Sequence, residues 1–340
     1  MFETLKILTG PTASGKSEVA LQMARQGGGT AGRLKGGICL RRTGTEIISA
    51  DSMQIYRGMD VGTAKPSLEV RREVPHHLID IVDPWEAYNV GQYVQEVTRV
   101  IADLEARGRE PLIVGGTALY LKALTEGLFS GPGADWGIRQ ELETVAVEKG
   151  VDYLHGILTG VDPVSARRIQ KGDLRRVVRA LEVYKKTGRP ISAWQQEWGV
   201  RGAGGGFDNS EIRNPDSEFC MVILSLDRKE LYRRIEERVE RMFEEGLVEE
   251  VRRLLSHPPG LGRQAREALG YAEVIEYLEG RLTLEGAKEL VKKNTRHFAK
   301  RQMTWFRGFV RAGWAKWLEV KEGDRPGEVA ERATGLLFRD

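Results

Sequence analysis

TLKILTGPTASGKS, residues 4–17, decides the fold. The apolar run Leu5 to Leu8 reads as a short buried β-strand. It passes directly into Gly10-Pro11-Thr12-Ala13-Ser14-Gly15-Lys16-Ser17, which satisfies GxxxxGK[ST], and Glu18 to Ala24 has the composition of a helix. Strand, glycine-bearing loop and helix, in that order, is the context in which this pattern cradles phosphates. Glycine allows the turn that points successive N–H groups at an anion. Lys16 adds a point charge, and the helix N-terminus adds its dipole. The Ser17 hydroxyl is placed to ligate Mg2+. The stretch therefore implies a phosphate or pyrophosphate ligand within an α/β fold. It does not say which molecule carries the phosphates.

A chain of 340 residues can hold two domains, or one domain with an insertion. Its 41% hydrophobic and 30% charged residues are ordinary for a globular protein. A net charge of +3 does not by itself argue for nucleic acid, so the distribution of charge matters more. Cys39 and Cys220 lie far apart in apolar surroundings. They are expected as buried thiols, with no disulfide framework and no zinc site. The first strand begins close to Met1 and no apolar run approaches a membrane span. A cytoplasmic protein with no membrane contact is expected.

After the first helix, Gln26 to Gly44 is rich in Gly, Arg and Lys. Most of it reads as a flexible surface loop, with a basic flap over a ligand as the other reading. Glu46 to Ala50 reads as a strand ending at Asp51-Ser52. Ligands of parallel α/β sheets sit beyond the C-terminal strand ends, so Asp51 belongs beside the phosphate loop. There it can bind Mg2+ or act as a base; a turn or N-cap aspartate competes with both. The segment 51–66, DSMQIYRGMDVGTAKP, suits a substrate-contacting loop. His76 and His77 are adjacent, and strand neighbours point to opposite faces, so a shared metal is not expected. Val90 to Arg107 has helical spacing. Pro111 to Thr117 is a buried strand with a glycine turn that brings Thr117 to the same sheet edge, and Ala118 to Leu128 continues as a helix.

From Phe129 to Phe207 strand signals stop and the chain is helical and basic. Arg175, Arg176 and Arg179 share a helix whose apolar face is Val177, Val178, Leu181 and Tyr184. Backbone contacts to nucleic acid and a plain solvated face both fit. Gly202 and Gly204 to Gly206 mark a return linker. Phe219 to Leu226 then resumes the α/β pattern, so 129–207 reads as an insertion. Asp227 caps the next helix, with Glu230 completing a capping-box-like pair. Leu231, Ile235, Val239 and Met242 form its buried stripe. Arg228 sits at its start, and Arg234 and Arg238 lie one turn apart; arginine forks suit pyrophosphate. Further on, Lys288, Lys292, Arg296, Lys300 and Arg307 form one stripe, with Trp305 and Phe306 nearby, a reasonable nucleic-acid surface. Beyond about Gly313 the chain reads as peripheral.

These segments together resemble the tRNA dimethylallyltransferases, also called tRNA isopentenyltransferases. The resemblance rests on GPTASGKS, ISADSMQIYRGMDVGTAKP, VPHHLIDIVDP, LIVGGTALYLKAL, DLRRVVRALEVYKKTGRPIS, DRKELYRRIEERV, ALGY and TRHFAKRQMTWFR, in the family's order over roughly residues 5 to 310. It implies an α/β, P-loop NTPase-like parallel-sheet core in two parts, 1–128 and 208–315. A helical domain inserted at 129–207 would bind the tRNA anticodon stem-loop, and 316–340 would form a peripheral tail. It implies transfer of the dimethylallyl group from dimethylallyl pyrophosphate to N6 of adenosine 37, with Mg2+, by a monomer. The adenine would be flipped into a channel. Gly10, Thr12, Ala13, Ser14, Gly15, Lys16, Ser17 and Arg228 would hold the pyrophosphate, and Ser17 the metal. Asp51 would be the base, Thr117 would lie near the reacting adenine, and Arg234 would join the pyrophosphate clamp. The implied tRNA contacts are Asp51, Ser52, Met53, Gln54, Arg175, Arg176, Arg179, Arg266, Gly270, Tyr271, Lys300, Arg301, Gln302 and Arg307.

The chain departs from the family pattern in its insertion at Gln26 to Gly44. Lys171-Gly172-Asp173 lacks the asparagine usual before that aspartate, and Ala118 stands where glycine is commoner. The zinc finger of eukaryotic members is absent, which favours the bacterial type. The alternatives are an adenylate isopentenyltransferase, a small-molecule kinase, and an RNA-binding protein with a vestigial loop. The basic surfaces argue against the first two. Lys16, Ser17, Asp51 and Arg228 together argue against the third.

Overall fold

The computed structural model describes residues 4–26, 31–33, 39–41, 44–127, 131–196 and 218–338. In chain order the first elements are β1 (Thr4–Thr9), α1 (Lys16–Gln26), β2 (Ala31–Arg33), β3 (Cys39–Arg41), β4 (Thr45–Ser49), α2 (Leu68–Glu73), β5 (His76–His77), α3 (Val90–Ala106), β6 (Glu110–Gly115) and α4 (Ala118–Glu126). A helical run follows: α5 (Trp136–Lys149), α6 (Val151–Val161), α7 (Pro163–Arg168), α8 (Leu174–Thr187) and α9 (Ile191–Gln196). The chain then forms β7 (Glu218–Ser225), α10 (Arg228–Glu244), α11 (Leu247–Ser256), α12 (Arg263–Arg266), α13 (Tyr271–Leu278), α14 (Leu284–Arg311), β8 (Ala315–Glu319) and α15 (Pro326–Leu337).

Packing divides the chain into two units, Met1–Lys122 with Asn214–Asp340, and Ala123–Arg213. The first unit is built on a six-stranded sheet, β5-β4-β6-β1-β7-β8, in which every pairing is parallel. A parallel sheet covered on both faces needs near-continuous apolar strands. β4 and β6 are buried at every position. On one face α1 contributes Val19, Ala20 and Met23 to a core with Leu8, Leu112, Val222 and Leu224. β1 lies between β6 and β7, so the loops after β1, β4, β6 and β7 converge at one edge, where α/β sheets bind ligands. The second unit has its own core, with Leu142, Leu154, Leu158, Val177, Leu181 and Val183 facing one another. No helix among the described residues is long and apolar enough to cross a membrane.

The structure changes several expectations. The end of the chain is not a peripheral tail. β8 pairs with β7 from Met221↔Ala315 to Ser225↔Glu319, and α15 buries Val329, Ala330, Ala333 and Leu337 against α1. An edge strand with two exposed residues in five reads as polar, which is why its sequence hid it. The stretch Gln26 to Gly44 is not loop alone, because β2 and β3 pair antiparallel with Ala31 opposite Arg41. Residues 27–30, 34–38 and 42–43, the Cys39 thiol and the Gly202 to Gly206 linker lie outside what is described. The segment after Asp51 is not only a contact loop, since Ile55, Tyr56 and Met59 are core residues. Cys220 is half-buried rather than buried; its Sγ donates to Leu336 O at 3.3 Å, and desolvation pushes the thiol pKa up.

Candidate active site

The loop after β1 curls because Ala13 and Gly15 both take positive φ, +64° and +83°. For Ala13 that is a strained choice, of a kind kept where backbone groups must face a ligand. Among the described residues Ser14 Oγ is buried without a hydrogen-bond partner, a polar atom suited to an incoming acceptor. Ser17 is exposed on the first turn of α1. Lys16 Nζ reaches Pro11 O at 3.4 Å, and loss of water, helped by Arg238, pushes its pKa down to about 8.

α10 supplies the opposing wall. Arg238 Nη1 donates to Thr12 Oγ1 at 3.3 Å. Burial lowers its pKa, and Asp51 works the other way. Arg234 is held by Glu230 through Nε at 2.6 Å, and its Nη1 lies 3.8 Å from where a Gly15 Cβ would stand. Glu230 is thus occupied by Arg233 and Arg234. Asp227 caps the helix alone, through Lys229 N and Glu230 N, so the expected box does not form. Arg228 is exposed and lies over the Tyr232 ring, 5.1 Å from its centroid. Arg238, not Arg228, is the α10 arginine bonded to the phosphate loop. The i, i+4 spacing from Arg234 was the available signal.

The carboxylate side is built by β4 and β6. Asp51 Oδ1 accepts Met53 N at 2.8 Å and Gln54 N at 3.3 Å, which leaves Oδ2 without a hydrogen bond among the described residues. The turn reading of Asp51 is met by Oδ1. Its charge acts on Lys16 and on Arg238. Thr117 is fixed to the same loop: its N–H donates to Ala50 O at 3.1 Å, and its Oγ1 accepts Ser52 N at 3.0 Å. Gln54 Nε2 donates to Thr63 O at 3.3 Å. Met53 is half-buried.

Several expected RNA contacts are structural. Tyr271 is fully buried and its hydroxyl donates to Glu250 Oε1 at 2.6 Å. Glu250 also accepts Asp60 N, Val61 N and Gly62 N at 2.9, 2.8 and 3.2 Å, so ALGY anchors the loop after Asp51. Gly270 N donates to Glu273. Gln302 is buried between Thr12 and Gly116. Three members of the basic stripe on α14 are neutralised by α10. Lys288 and Lys292 pair with Glu240, and Arg296 pairs with Glu236. Lys300, Arg301 and Arg307 remain exposed, and Arg266 is exposed 3.6 Å from Glu279. In the helical unit Arg175 and Arg176 are exposed, the latter 3.1 Å from Asp173. Arg179 instead binds the fully buried Glu182 at 2.7 Å and Pro132 O at 2.7 Å. Arg139 grips the same carboxylate at 3.0 Å, and together the pairs hold the Glu182 pKa below its ordinary value.

The arrangement can hold a polyanion between the phosphate loop and α10, and a carboxylate oxygen is free to take a proton beside it. Comparison with known proteins agrees. The family model for IPP transferases matches residues 54–309. A tRNA dimethylallyltransferase of Geobacter metallireducens is 46% identical over 92% of this chain and 92% of its own. One from Thermotoga petrophila is 44% identical over 99% and 98%. Among solved structures, a tRNA isopentenylpyrophosphate transferase of Bacillus halodurans aligns with TM-score 0.63 and 36% identity, covering 98% of this chain and 95% of that one. A eukaryotic dimethylallyltransferase acting on tRNA aligns with TM-score 0.73 and 26% identity, covering 97% and 77%.

Proposed function

The chain belongs to the tRNA dimethylallyltransferase family, and from that premise we propose that it transfers the dimethylallyl group of dimethylallyl pyrophosphate to N6 of adenosine 37 in tRNA. The observation that carries the reading is the pairing of two crowded cations, Lys16 of the phosphate loop and Arg238 of α10, bonded to that loop through Thr12, with Asp51 at the adjoining strand end. Breaking the allylic C–O bond leaves charge on the pyrophosphate. Preorganised N–H groups and cations are worth most where that charge develops. The loop amides, Lys16 and Arg238 supply them, with Arg234 beside Gly15. The adenine amine attacks the allylic carbon, the C–O electron pair leaves with pyrophosphate, and Asp51 Oδ2 takes the N6 proton. An exocyclic amine is a weak nucleophile, so the base and the fixed geometry both contribute. Thr117 and the Ser52–Gln54 turn border the place the flipped adenine occupies.

The donor set suits Mg2+. Ser17 offers one exposed hydroxyl at the start of α1, beside the phosphate loop. Mg2+ commonly keeps several waters and binds through one or two protein groups plus substrate phosphates. Ser17 would hold it, and the ion would supply charge neutralisation on the pyrophosphate. The exposed Lys300, Arg301 and Arg307 of α14, and Arg175 and Arg176 of α8, are the cations available to the RNA backbone.

The test is a transfer assay with radiolabelled dimethylallyl pyrophosphate, Mg2+ and unmodified tRNA, with AMP and ATP in parallel. Label in tRNA at adenosine 37 is expected. Label in AMP or ATP instead would move the protein to the free-nucleotide enzymes.

A further inference from the structure

Gln302 is 4% exposed, although it stands on a helix whose neighbouring residues Lys300 and Arg301 face solvent. Its Oε1 accepts Thr12 N at 2.8 Å, and its Nε2 donates to Gly116 O at 2.8 Å. Thr12 belongs to the phosphate loop and carries Arg238 on its hydroxyl. Gly116 precedes Thr117, whose backbone and side chain hold the Asp51–Ser52 turn. One amide therefore spans the cradle for the leaving group and the turn that carries the base. A Cβ on Gly116 would stand 2.5 Å from Nε2, so glycine there leaves room for this side chain. α14 has little freedom to shift Gln302, since Ala299 packs on Leu231 and Ile235 while the pairs to Glu236 and Glu240 tie it to α10. Glutamine meets the need of this site for one acceptor and one donor on a planar group, whereas an ionised glutamate has no donor.

We propose that Gln302 is a positioning residue that sets the gap between the pyrophosphate cradle and Asp51, and thereby partitions the allylic carbon between the adenine amine and water. This rests on the transferase reading. In transfer, N6 bonds to the allylic carbon, the carbon–oxygen bond breaks toward pyrophosphate, and the N6 proton passes to Asp51. In the competing path a water oxygen bonds to the same carbon, the same bond breaks toward pyrophosphate, and one of the water's protons passes to solvent. The products are then dimethylallyl alcohol and pyrophosphate. A cradle displaced from the base loses the near-attack geometry for the bulky adenine, while water still reaches the carbon.

The experiment incubates labelled dimethylallyl pyrophosphate with excess unmodified tRNA and counts prenylated tRNA and free alcohol. The parent is compared with Gln302→Glu and Gln302→Met. In both variants the alcohol-to-transfer ratio should rise about tenfold, and kcat for transfer should fall about 10- to 100-fold, the range expected of a misplacement near 1 Å. The Kd for tRNA should stay at the parental value. Alcohol formed by spontaneous solvolysis is measured without enzyme and subtracted, so the remaining ratio does not depend on how much protein is folded. An unchanged ratio in both variants overturns the proposal, whatever the total activity. A tRNA Kd that weakens in step with kcat also overturns it, because Gln302 would then be acting through the RNA. No labelled tRNA from the parent would overturn the transferase reading itself, and this inference with it.

Discussion

Two of the places where cations gather around a carboxylate, one in each unit, are built to opposite ends. In the helical unit, Arg139 and Arg179 both grip the fully buried Glu182, and the Asp135 N–H adds to them at 2.5 Å. The carboxylate is saturated, and its lowered pKa records net attraction. At the sheet edge, Lys16 and Arg238 crowd each other, both have lowered pKa values, and Asp51 spends one oxygen on a turn. Buried charge paired with charge holds a fold together; buried like charge left under-paired is waiting for an anion. The pH signatures differ accordingly. The contribution of Glu182 to stability is present above its ordinary carboxylate pKa and is lost as pH falls through its lower folded value. For Lys16, the unfolded chain binds the extra proton between about 8 and 10.5, so its effect is a cost that shrinks as pH rises through that window.

Substitutions on both sides would sharpen or break this contrast. Asp51→Ala should slow single-turnover transfer by about 10²- to 10⁴-fold with tRNA affinity kept. A parental rate would remove Asp51 as the base. Lys16→Met or Arg238→Met should lower kcat/KM for the prenyl donor by about 10²- to 10³-fold. Their Tm should hold or rise, since each relieves the other cation; a large fall in Tm would make the sheet-edge group structural after all. Glu182→Ala should cost about 3 kcal/mol in denaturant unfolding, because two guanidinium groups lose their partner. If that variant unfolds like the parent, the contrast fails from its other side. The smallest effect concerns the RNA. Arg175→Gln with Arg176→Gln should reduce the slope of log affinity against log salt by about 0.7 to 0.9 for each RNA phosphate that the pair no longer neutralises. Arg179→Gln should leave that slope alone and reduce stability instead.

The sheet was legible because its strands are local and apolar, and the phosphate loop because its spacing is rigid. The α10 stripe of Leu231, Ile235, Val239 and Met242 is buried as its periodicity implies. Partner choice was not legible. Arg175, Arg176 and Arg179 look equivalent along the helix, yet only the last faces Glu182. Lys288, Lys292 and Arg296 read as a basic surface until Glu236 and Glu240 of another helix are placed against them. Tyr271 and Gln302 sit in motifs that read as RNA-facing, but their polar atoms are consumed by Glu250, Thr12 and Gly116. β8 was hidden because an edge strand carries charged residues. Each miss concerns a pairing between segments far apart in the chain, which helical spacing does not encode.

The cradle is tested most sharply by calorimetry of dimethylallyl pyrophosphate binding near pH 8, in buffers of different ionisation enthalpy, for the parent and Lys16→Met. Lys16 has a pKa of about 8 in the free protein, and a bound pyrophosphate must draw it fully into the charged form. The parent should therefore take up about half a proton more per site than Lys16→Met, and its affinity should fall by up to about tenfold per pH unit above 8. Equal proton uptake and equal affinity in the two proteins would contradict the claim that Lys16 and Arg238 form a cradle poised for the leaving group.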